Sequence, residues 1–486
     1  MSNTTSTSPG PRSEAPSKSE GTLVRIAVAF TVWAERWFPD TYIFVAAAVV
    51  IVSLGAIVNG ASPLAVSEAF GNGFWNLITF TMQMAFIVIG GYVVATAAPA
   101  QRLIRGLAGL PKTGTGAVGL IAAASMIASL LNYGLSLIVG GLLARALAER
   151  RELRMDYRAA GAAAYLGLGA TWAMGLSSSA ALLQANAASL PKTLLPITGV
   201  IPFTETIFMW QSFVVAGALL VVSVIIALWS APGPATAVTA EAMGVDVSRG
   251  SEPESTTPRK PGEWLEHSPL LTILIVLLAG GWIYYEFARQ STIAAISNLN
   301  TYNFLFITAG LLLHWRPKNF LAAVAKSVPA TTGILIQFPL YSAIAAILTT
   351  AKNAAGVSVS DQISHAFVSV STQHLYPLVI GIYSAFLGFF VPSGGGKWLL
   401  EAPYVMQAAN DLKVHLGWAV QIYNAAEALP NLINPFWMLP LLGVLGLRAR
   451  DLVGFTFLQL LVHVPVVLFL LWALAYTLEY HPPIVP

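Results

Sequence analysis

The stretch Phe389–Pro403, FFVPSGGGKWLLEAP, decides how the chain is expected to fold. It places three consecutive glycines, a cation at Lys397 and an anion at Glu401 within one of the most apolar parts of the sequence. Glycines let a backbone turn sharply and approach a ligand closely. Irregular backbone at membrane depth is tolerated only where it lines a cavity or is buried in protein. The stretch therefore predicts the tip of a helical hairpin that carries a binding site.

The composition around this stretch is that of a membrane protein. Of the 486 residues, 56% are hydrophobic and 10% are charged, whereas soluble domains carry roughly 25% charged residues. Apolar runs of about 18 or more residues recur, each long enough to cross a ~30 Å hydrocarbon core. Because the runs are continuous rather than alternating, they predict an all-α polytopic membrane protein and not a barrel. The absence of cysteine excludes disulfides, thiolate catalysis and cysteine-ligated metals.

Apolar runs and polar segments divide the chain into parts. Residues 1–21 predict a disordered tail, 22–40 an interfacial helix and 231–267 a cytoplasmic linker. Before the linker we predict a hairpin at 113–149 and spans at 41–60, 72–98, 157–188 and 203–230. After it we predict a hairpin at 363–411 and spans at 268–288, 300–315, 327–351, 418–447 and 450–479.

Lysine and arginine positions support this layout. We start the N-terminus in the cytoplasm and let each hairpin return to the side it entered. Most of the 25 Lys and Arg residues then fall inside, and those left outside are Lys192, Arg289, Lys352 and Lys413. This asymmetry is what the positive-inside rule expects. It predicts a cytoplasmic N-terminus and a periplasmic C-terminus.

The same layout contains an inverted repeat. Residues 41–230 hold two spans, a hairpin and two further spans, and residues 300–479 repeat this order. The connecting span 268–288 reverses the orientation of the second unit. Each unit carries a lone glutamine in its second span, Gln83 and Gln337. Inverted repeats with broken helices are a recurring transporter design, with the site near the bilayer midplane.

The two hairpin tips are the predicted substrate site. Their arms, of about 15–18 residues, are short for a full crossing, so we expect re-entrant hairpins. A helix that starts at a tip turns its N–H groups and positive dipole end toward the centre, which favours a carboxylate. The predicted substrate-binding residues are Asn132, Gly134, Ser136, Ser393, Gly394, Gly395, Gly396, Lys397, Gln83 and Gln337.

Lys397 can act in two ways. In the first, it anchors the substrate carboxylate, and Glu401, at i,i+4 spacing, pairs with it when the site is empty. In the second, Lys397 and Glu401 form a fixed internal pair, and the substrate binds only to backbone and hydroxyl groups. The alternative interpretation of the tips is that each is an ordinary loop between two membrane spans.

An interruption is predicted in the span after each hairpin, at Gly175–Ser179 and at Asn424–Pro435. Prolines free backbone carbonyls, and carbonyls with Ser, Asn or Glu oxygens would suit Na⁺. A carboxylate in mid-span costs about 2.5–3.5 kcal/mol on insertion scales and usually marks function. For the serines, packing of small residues between helices is the alternative. The predicted residues for coupling to Na⁺ or H⁺ are Ser177, Ser178, Ser179, Asn424, Glu427 and Asn431.

Four segments resemble the bacterial short-chain fatty acid transporter family: FTMQMAFIVIGGYVVA, SLLNYGLSLIVGGLLAR, ILIQFPLYSAI and FFVPSGGGKWLLEAPYV. The resemblance covers nearly the whole chain and implies uptake of acetoacetate or butyrate across a bacterial inner membrane. It also implies the wider ion-transporter superfamily of citrate and dicarboxylate carriers. Those carriers are similar in having paired re-entrant hairpins and elevator-like, often Na⁺-coupled transport. Their Ser-Asn-Thr hairpin motif is absent here, which leaves Na⁺ coupling open.

We therefore expect a symporter of small monocarboxylates such as butyrate, acetate and acetoacetate, driven by a cation gradient. A single cationic group at depth suits a monoanion with a short alkyl tail. A sodium-coupled dicarboxylate or citrate carrier and an anion channel are the rivals. An intramembrane hydrolase is disfavoured, since the sequence offers no nucleophile and base set. We expect a lipid bilayer around the chain, no nucleic-acid partner and no cofactor besides the coupling ion, and a homodimer is compatible with the sequence.

Overall fold

The computed structural model describes residue 36 and residues 41–187, 189–247, 260–391 and 393–485. The predicted tail at 1–21, the predicted interfacial helix at 22–40 apart from residue 36, and Pro392 of the second tip lie outside the described residues. In the part that is described, the secondary structure is helical and contains no strand. An isolated bridge joins Gly199 to Ile484 near the C-terminus.

The helices fall into two sets, one on each side of the linker. The first set is α1 (Thr41–Val58), α2 (Pro63–Trp75), α3 (Ile78–Thr96), α4 (Ala98–Ala108), α5 (Gly114–Leu131), α6 (Tyr133–Ala148), α7 (Tyr157–Leu166), α8 (Ser179–Gln184), α9 (Leu195–Thr198) and α10 (Trp210–Ser230). The second set starts with α11 (Glu263–His267), α12 (Leu270–Arg289), α13 (Thr292–Ser297), α14 (Leu299–His314), α15 (Pro317–Ser327) and α16 (Thr332–Thr350). It ends with α17 (Val359–Val370), α18 (Tyr376–Phe390), α19 (Gly394–Asp411), α20 (Leu416–Asn431), α21 (Pro435–Leu445) and α22 (Ala449–Ala475).

The helices have the lengths and composition that a membrane protein needs. Among the described residues, 7 helical segments are long and apolar enough to cross a bilayer. The expectation of an all-helical polytopic membrane protein is therefore confirmed. The sequence pattern missed α2, α4 and α15, each of which starts at a proline in its first turn. Proline is favoured there because the first amides of a helix have no partner within it.

Both predicted hairpin tips are breaks between two helices. Asn132 separates α5 from α6, and its side chain accepts the N–H of Leu135 at 3.0 Å. Ser393 stands before α19, and its hydroxyl accepts the N–H of Gly396 at 3.2 Å. Both residues have extended backbone and cap the helix that follows. The predicted range 363–411 takes in most of α17 together with α18 and α19, and its re-entry into the membrane stays a prediction.

The first predicted interruption is present. After α7 the chain forms a π-helical turn at Gly167–Thr171 and a 3-10 turn at Trp172–Met174, and it becomes extended at Gly175. A Cβ at Gly175 would overlap the backbone of Leu130. Close packing against the first hairpin therefore requires glycine at this break.

The second predicted interruption was wrong in its extent. Asn424 and Glu427 lie in the continuous helix α20, and the chain leaves the helix only at residues 432–434. Pro430 lies inside α20. One missing N–H so near a helix end removes a single hydrogen bond. Glu427 is thus held on a rigid helix and not on an unwound segment.

Helices from the two sets interlock. The face of α16 packs along α1 and α2, and α3 packs along α14. Where α2 crosses α16, Ser342 donates a hydrogen bond to the carbonyl of Gly73 at 2.7 Å. A Cβ at Gly73 would overlap Ala346. The glycine therefore lets the two backbones approach closely, as is common between membrane helices.

The centre of the molecule is formed by α19 and α20. Every residue of α20 is buried, as is every residue of Gly394–Met406 in α19. The outermost helix is α12, in which only Thr272, Ala279 and Glu286 are buried. An apolar helix with an exposed surface of this kind is typical of contact with lipid. The SGGGKW segment thus lies at the core of the protein and far from its perimeter.

The predicted linker 231–267 is partly docked on the first set of helices. Val238 makes two hydrogen bonds of 2.9 Å with the start of α7. Its carbonyl accepts the N–H of Tyr157, and its own N–H donates to the carboxylate of Asp156. Arg145 at the end of α6 donates to the carbonyl of Val247 at 3.1 Å. The first part of the linker therefore closes the base of the first hairpin.

Candidate functional site

Two of the three glycines of the second tip lie where no side chain fits, and the third, Gly395, leaves a Cβ only 3.1 Å from Phe338 and Ser179. A Cβ at Gly394 would overlap the ring of Trp172, and a Cβ at Gly396 would overlap the ring of Tyr341. Neither glycine has a positive φ. The segment Gly394–Gly396 is therefore required for close approach and not for an unusual backbone conformation.

A narrow cavity lies between the two tips. Its walls come from Met84, Tyr133, Leu168, Trp172, Ser179, Ile334, Phe338, Ser393, Gly394, Gly395 and Trp437. Residues of the first tip, the second tip and the first interruption therefore meet at this cavity, which we call the tip cavity. The cavity volume is about 20 Å³, room for little more than one water molecule. Of the described residues that line it, none carries a charge, and most are aromatic or aliphatic.

The start of α19 offers donors to this cavity. The first N–H groups of a helix have no partner within it. Ser393 satisfies the N–H of Gly396, and Gly394 and Gly395 line the cavity. Two backbone amides at the positive end of a helix dipole can therefore receive an anion. At the first tip, by contrast, the N–H of Tyr133 already donates to Ser177 Oγ at 3.0 Å.

Other predicted substrate residues bind neighbouring helices in this structure. The side-chain amide of Asn132 donates to the carbonyl of Ile87 at 3.1 Å, and Ser136 donates to the carbonyl of Ser125 at 2.8 Å. Gln83 donates to Asn300 at 2.8 Å. A Cβ at Gly134 would lie 3.2 Å from Asn132 Oδ1 and 3.3 Å from the carbonyl of Val88 on α3, and Gln337 is buried on α16. A substrate role for this group stays a prediction.

Lys397 lies at the centre of a buried ion cluster. Its ammonium donates to the carbonyl of Ser384 at 2.9 Å, to Ser384 Oγ at 2.6 Å and to Glu401 Oε1 at 2.9 Å. It also lies 2.9 Å from Glu427 Oε2. The three charged side chains are 0% exposed. The predicted pairing of Lys397 with Glu401 is therefore confirmed, and we call Lys397, Glu401 and Glu427 the charge triad.

The charge triad carries one more carboxylate than it has cations. An ammonium group has three protons, and Ser384 and Glu401 take all three. The contact to Glu427 is consequently an ion pair without a well-directed hydrogen bond. Glu401 Oε2 and Glu427 Oε1 have no hydrogen-bond partner among the described residues. A buried carboxylate without a full set of partners is costly, so the triad favours the uptake of one further positive charge.

Tyr423 joins the charge triad to the tip. Its ring lies 4.3 Å from Lys397 Nζ, a distance typical of a cation–π contact. Its hydroxyl donates to the carbonyl of Gly394. Because Lys397 stands one turn after Gly394 on the same helix, the ammonium is linked to the tip both along α19 and through Tyr423.

The predicted coupling residues do not form one cluster. Ser177 accepts from Tyr133, Ser178 caps α8, and Ser179 lines the tip cavity. The amide of Asn424 donates to Gln421 at 2.7 Å. In the described part of the chain, Asn431 Oδ1 has no hydrogen-bond partner. A coupling role for these residues stays a prediction, and Glu427 is the one that joins the charge triad.

Several residues of the site escaped the sequence analysis. Ser384 lies on α18, and Tyr423 lies on α20 with Glu427. Trp172 closes the tip cavity. A serine in an apolar helix gives no distinctive signal, and membrane aromatics are common as interfacial anchors. Of the contacts within the charge triad, only the pairing of Lys397 with Glu401 was visible in the sequence, through their spacing of four.

Comparison with protein families gives a match to nearly the whole chain. A family model described as short chain fatty acid transporter matches residues 22–474. A protein of Escherichia coli strain K12, named as a candidate short-chain fatty acid transporter, is 33% identical over 90% of this chain and 96% of its own length. A protein of Haemophilus influenzae with the same name is 29% identical over 91% of this chain and 98% of its own length.

Two solved structures are similar in fold. The MtrF protein of Neisseria gonorrhoeae, described as representing a class of antimetabolite efflux pumps, has a TM-score of 0.58 and 12% identity, and the match covers 93% of this chain and 97% of that one. The YdaH transporter of Alcanivorax borkumensis, described as having an unusual topology, has a TM-score of 0.54 and 13% identity, with 93% and 98% covered. At these identities the likeness concerns the fold alone.

Proposed function

Because the chain belongs to the short-chain fatty acid transporter family, we propose that it is a cation-coupled secondary transporter of small monocarboxylates such as butyrate, acetate and acetoacetate. It is a carrier and not an enzyme. The observation that carries this proposal is the tip cavity beside the charge triad. The cavity suits the substrate, and the triad suits the coupling ion.

The tip cavity supports a monocarboxylate with a short alkyl tail. The amides of Gly394 and Gly395 would receive the carboxylate at the start of α19. Trp172 and Phe338 supply apolar surface for the tail. A citrate or dicarboxylate would need further positive charge, and the described lining provides none. The small volume of about 20 Å³ means that the tips must separate before butyrate enters.

The charge triad supports a proton as the coupling ion. Two carboxylates share one ammonium, and the centre is closed to water. A sodium ion would have to lie beside Lys397, which already occupies the position between the two carboxylates and would repel it. A proton on Glu427 needs no added space and removes the excess charge. Lys397 would serve as the substrate anchor only when its bonds to Ser384 and Glu401 open.

The proposal includes the architecture expected for such a carrier. The two units at 41–230 and 300–479 would be inverted repeats with re-entrant hairpins, as in the ion-transporter superfamily. Transport would be elevator-like, in a bacterial inner membrane, with the N-terminus in the cytoplasm and the C-terminus in the periplasm. A homodimer embedded in lipid is compatible with this arrangement.

Transport in proteoliposomes tests the proposal. Initial uptake of labelled butyrate, acetate and succinate is measured with pH and Na⁺ gradients imposed separately. Empty liposomes supply the background, because undissociated short-chain acids cross bilayers unaided. We expect saturable butyrate uptake driven by an inward proton gradient and little succinate uptake. Preference for succinate with Na⁺ would support the dicarboxylate rival, and currents far above carrier rates would support a channel.

A further inference from the structure

A second cluster of titratable side chains lies at the end of the molecule that carries Lys413, far along α19 from its tip. Glu205 ends a 3-10 turn before α10, His415 caps α20, and His481 lies in the C-terminal segment. Each offers one ligand atom, and these atoms lie within 4.8 Å of one another. The three side chains come from segments far apart in the sequence and are all half-buried.

We propose that Glu205, His415 and His481 form a binding site for a divalent transition-metal ion, for which Zn²⁺ is the probe. Two imidazoles and one carboxylate are a common ligand set for zinc, with a water molecule in the fourth position. Zn–N and Zn–O bonds of about 2.0–2.2 Å put tetrahedral ligand atoms roughly 3.4 Å apart. A modest inward shift of the exposed C-terminal segment would bring the three groups to that spacing.

The hydrogen bonds of His481 prepare it to bind a metal. Its Nδ1 lies 3.2 Å from the carbonyl of Pro482, which can only accept, so the proton is on Nδ1. Its Nε2 lies 3.0 Å from Glu205 Oε2. The metal would bind between these two atoms. A backbone carbonyl behind a ligating imidazole is the usual outer-shell partner.

His415 is the third proposed ligand, and binding a metal would cost the hydrogen bond by which it caps α20. Burial lowers its pKa and the neighbouring His481 lowers it further, whereas Glu205 raises it. The neutral ring is the form that binds metal. Its Nδ1 accepts the N–H of Trp418 at 3.1 Å and caps α20. Since a neutral imidazole has one lone pair, metal binding competes with this cap, and the affinity should be below that of a structural zinc site.

A metal bound at this cluster would link three segments of the chain. The carbonyl of Glu205 packs so closely on Gly417 that no Cβ would fit there. The C-terminal segment is held nearby by Val200, whose N–H donates to the carbonyl of Ile484 at 2.9 Å. A metal ion would therefore tie this segment and the turn before α10 to the start of the helix that bears Glu427.

Zinc titration of the purified full-length protein tests the proposal. Isothermal titration calorimetry should show one Zn²⁺ per chain, with affinity that falls as the pH is lowered. His481→Ala should weaken binding roughly tenfold or more. His415→Asn should do the same while keeping the helix cap, because asparagine is a good N-cap residue. His365→Ala, an exposed histidine on α17, is the matched control and should bind as the wild type does.

Thermal unfolding gives a readout that does not depend on transport. Zn²⁺ should raise the unfolding midpoint of the wild type and of His365→Ala, and EDTA should reverse the rise. At a Zn²⁺ concentration close to the wild-type Kd, the same addition should raise the midpoint of His481→Ala and His415→Asn much less. Absence of Zn²⁺ binding by the wild type, or equal binding by His481→Ala, would overturn the proposal. Neither result would bear on butyrate transport.

Discussion

Replacing Glu427 by glutamine should separate transport from its driving force. The substitution keeps the size of the side chain and removes the excess negative charge of the charge triad. Lys397 retains its hydrogen bonds to Ser384 and to Glu401 at 2.9 Å. Glu427→Gln therefore resembles the protonated state of the carrier, and it cannot gain or lose the proton.

Two magnitudes follow from this geometry. If one proton moves with each anion, one pH unit across the membrane is worth about 1.4 kcal/mol and allows roughly tenfold accumulation of substrate. Glu427→Gln should show no gradient-driven accumulation of substrate above the background of empty liposomes. Stability should not fall, because the remaining pair is fully compensated. Lys397→Gln, which leaves two buried carboxylates without a cation, should lose roughly 3–5 kcal/mol.

The assay combines two measurements in proteoliposomes. Accumulation of labelled butyrate is followed under an imposed pH gradient, with empty liposomes subtracted. Exchange of internal for external butyrate is then followed without any gradient. We expect Glu427→Gln to keep exchange and to lose accumulation, since exchange needs no net movement of protons. Thermal unfolding in detergent compares the stability of Glu427→Gln, Lys397→Gln and wild type.

Two results would refute the reasoning. Wild-type accumulation per pH unit in Glu427→Gln would show that the coupling proton binds elsewhere. A large loss of stability in Glu427→Gln, comparable with that of Lys397→Gln, would show that both carboxylates are needed as anions, and the account of charge in the triad would be wrong. The double variant of Lys397 and Glu427 to glutamine distinguishes these cases, because it should be more stable than Lys397→Gln alone.

Three other predictions concern the tip and the topology. In well-folded protein, Lys397→Gln should raise the KM for butyrate roughly tenfold or more, as expected for a lost charge-assisted contact; an unchanged KM would leave the fixed internal pair as its only role. Gly394→Ala should lower thermal stability and uptake because a Cβ overlaps the Trp ring beside it, whereas Gly280→Ala, with open space around it, should be silent; equal behaviour would exclude tight packing at the tip. In this cysteine-free chain, Arg151→Cys should react with an impermeant thiol reagent only from the cytoplasm and Lys413→Cys only from outside; labelling of both from one side would contradict the inverted repeats.

The sequence identified the polar features of the site, and it did so through local spacing. Glycines followed by a cation inside an apolar run indicated a break, and the structure has that break at Ser393. The spacing of four indicated that Lys397 pairs with Glu401. The second interruption is shorter than the sequence predicts, because Pro430 is accommodated within α20. Local propensity is weak where neighbouring helices hold a segment in place.

By itself the sequence determined the class of protein, since apolar runs longer than the hydrocarbon thickness leave the backbone no alternative to helices in a bilayer. It also located the helix breaks at Asn132, Gly175 and Ser393, since glycine and capping residues act within a few positions of one another. Only the tertiary structure decided which broken ends meet. The contact of Lys397 with Glu427 joins α19 to α20, and the tip cavity joins Trp172 of the first set of helices to Gly394 of the second. Such contacts depend on how helices pack, and the packing of apolar faces against one another leaves no periodic signal in the chain.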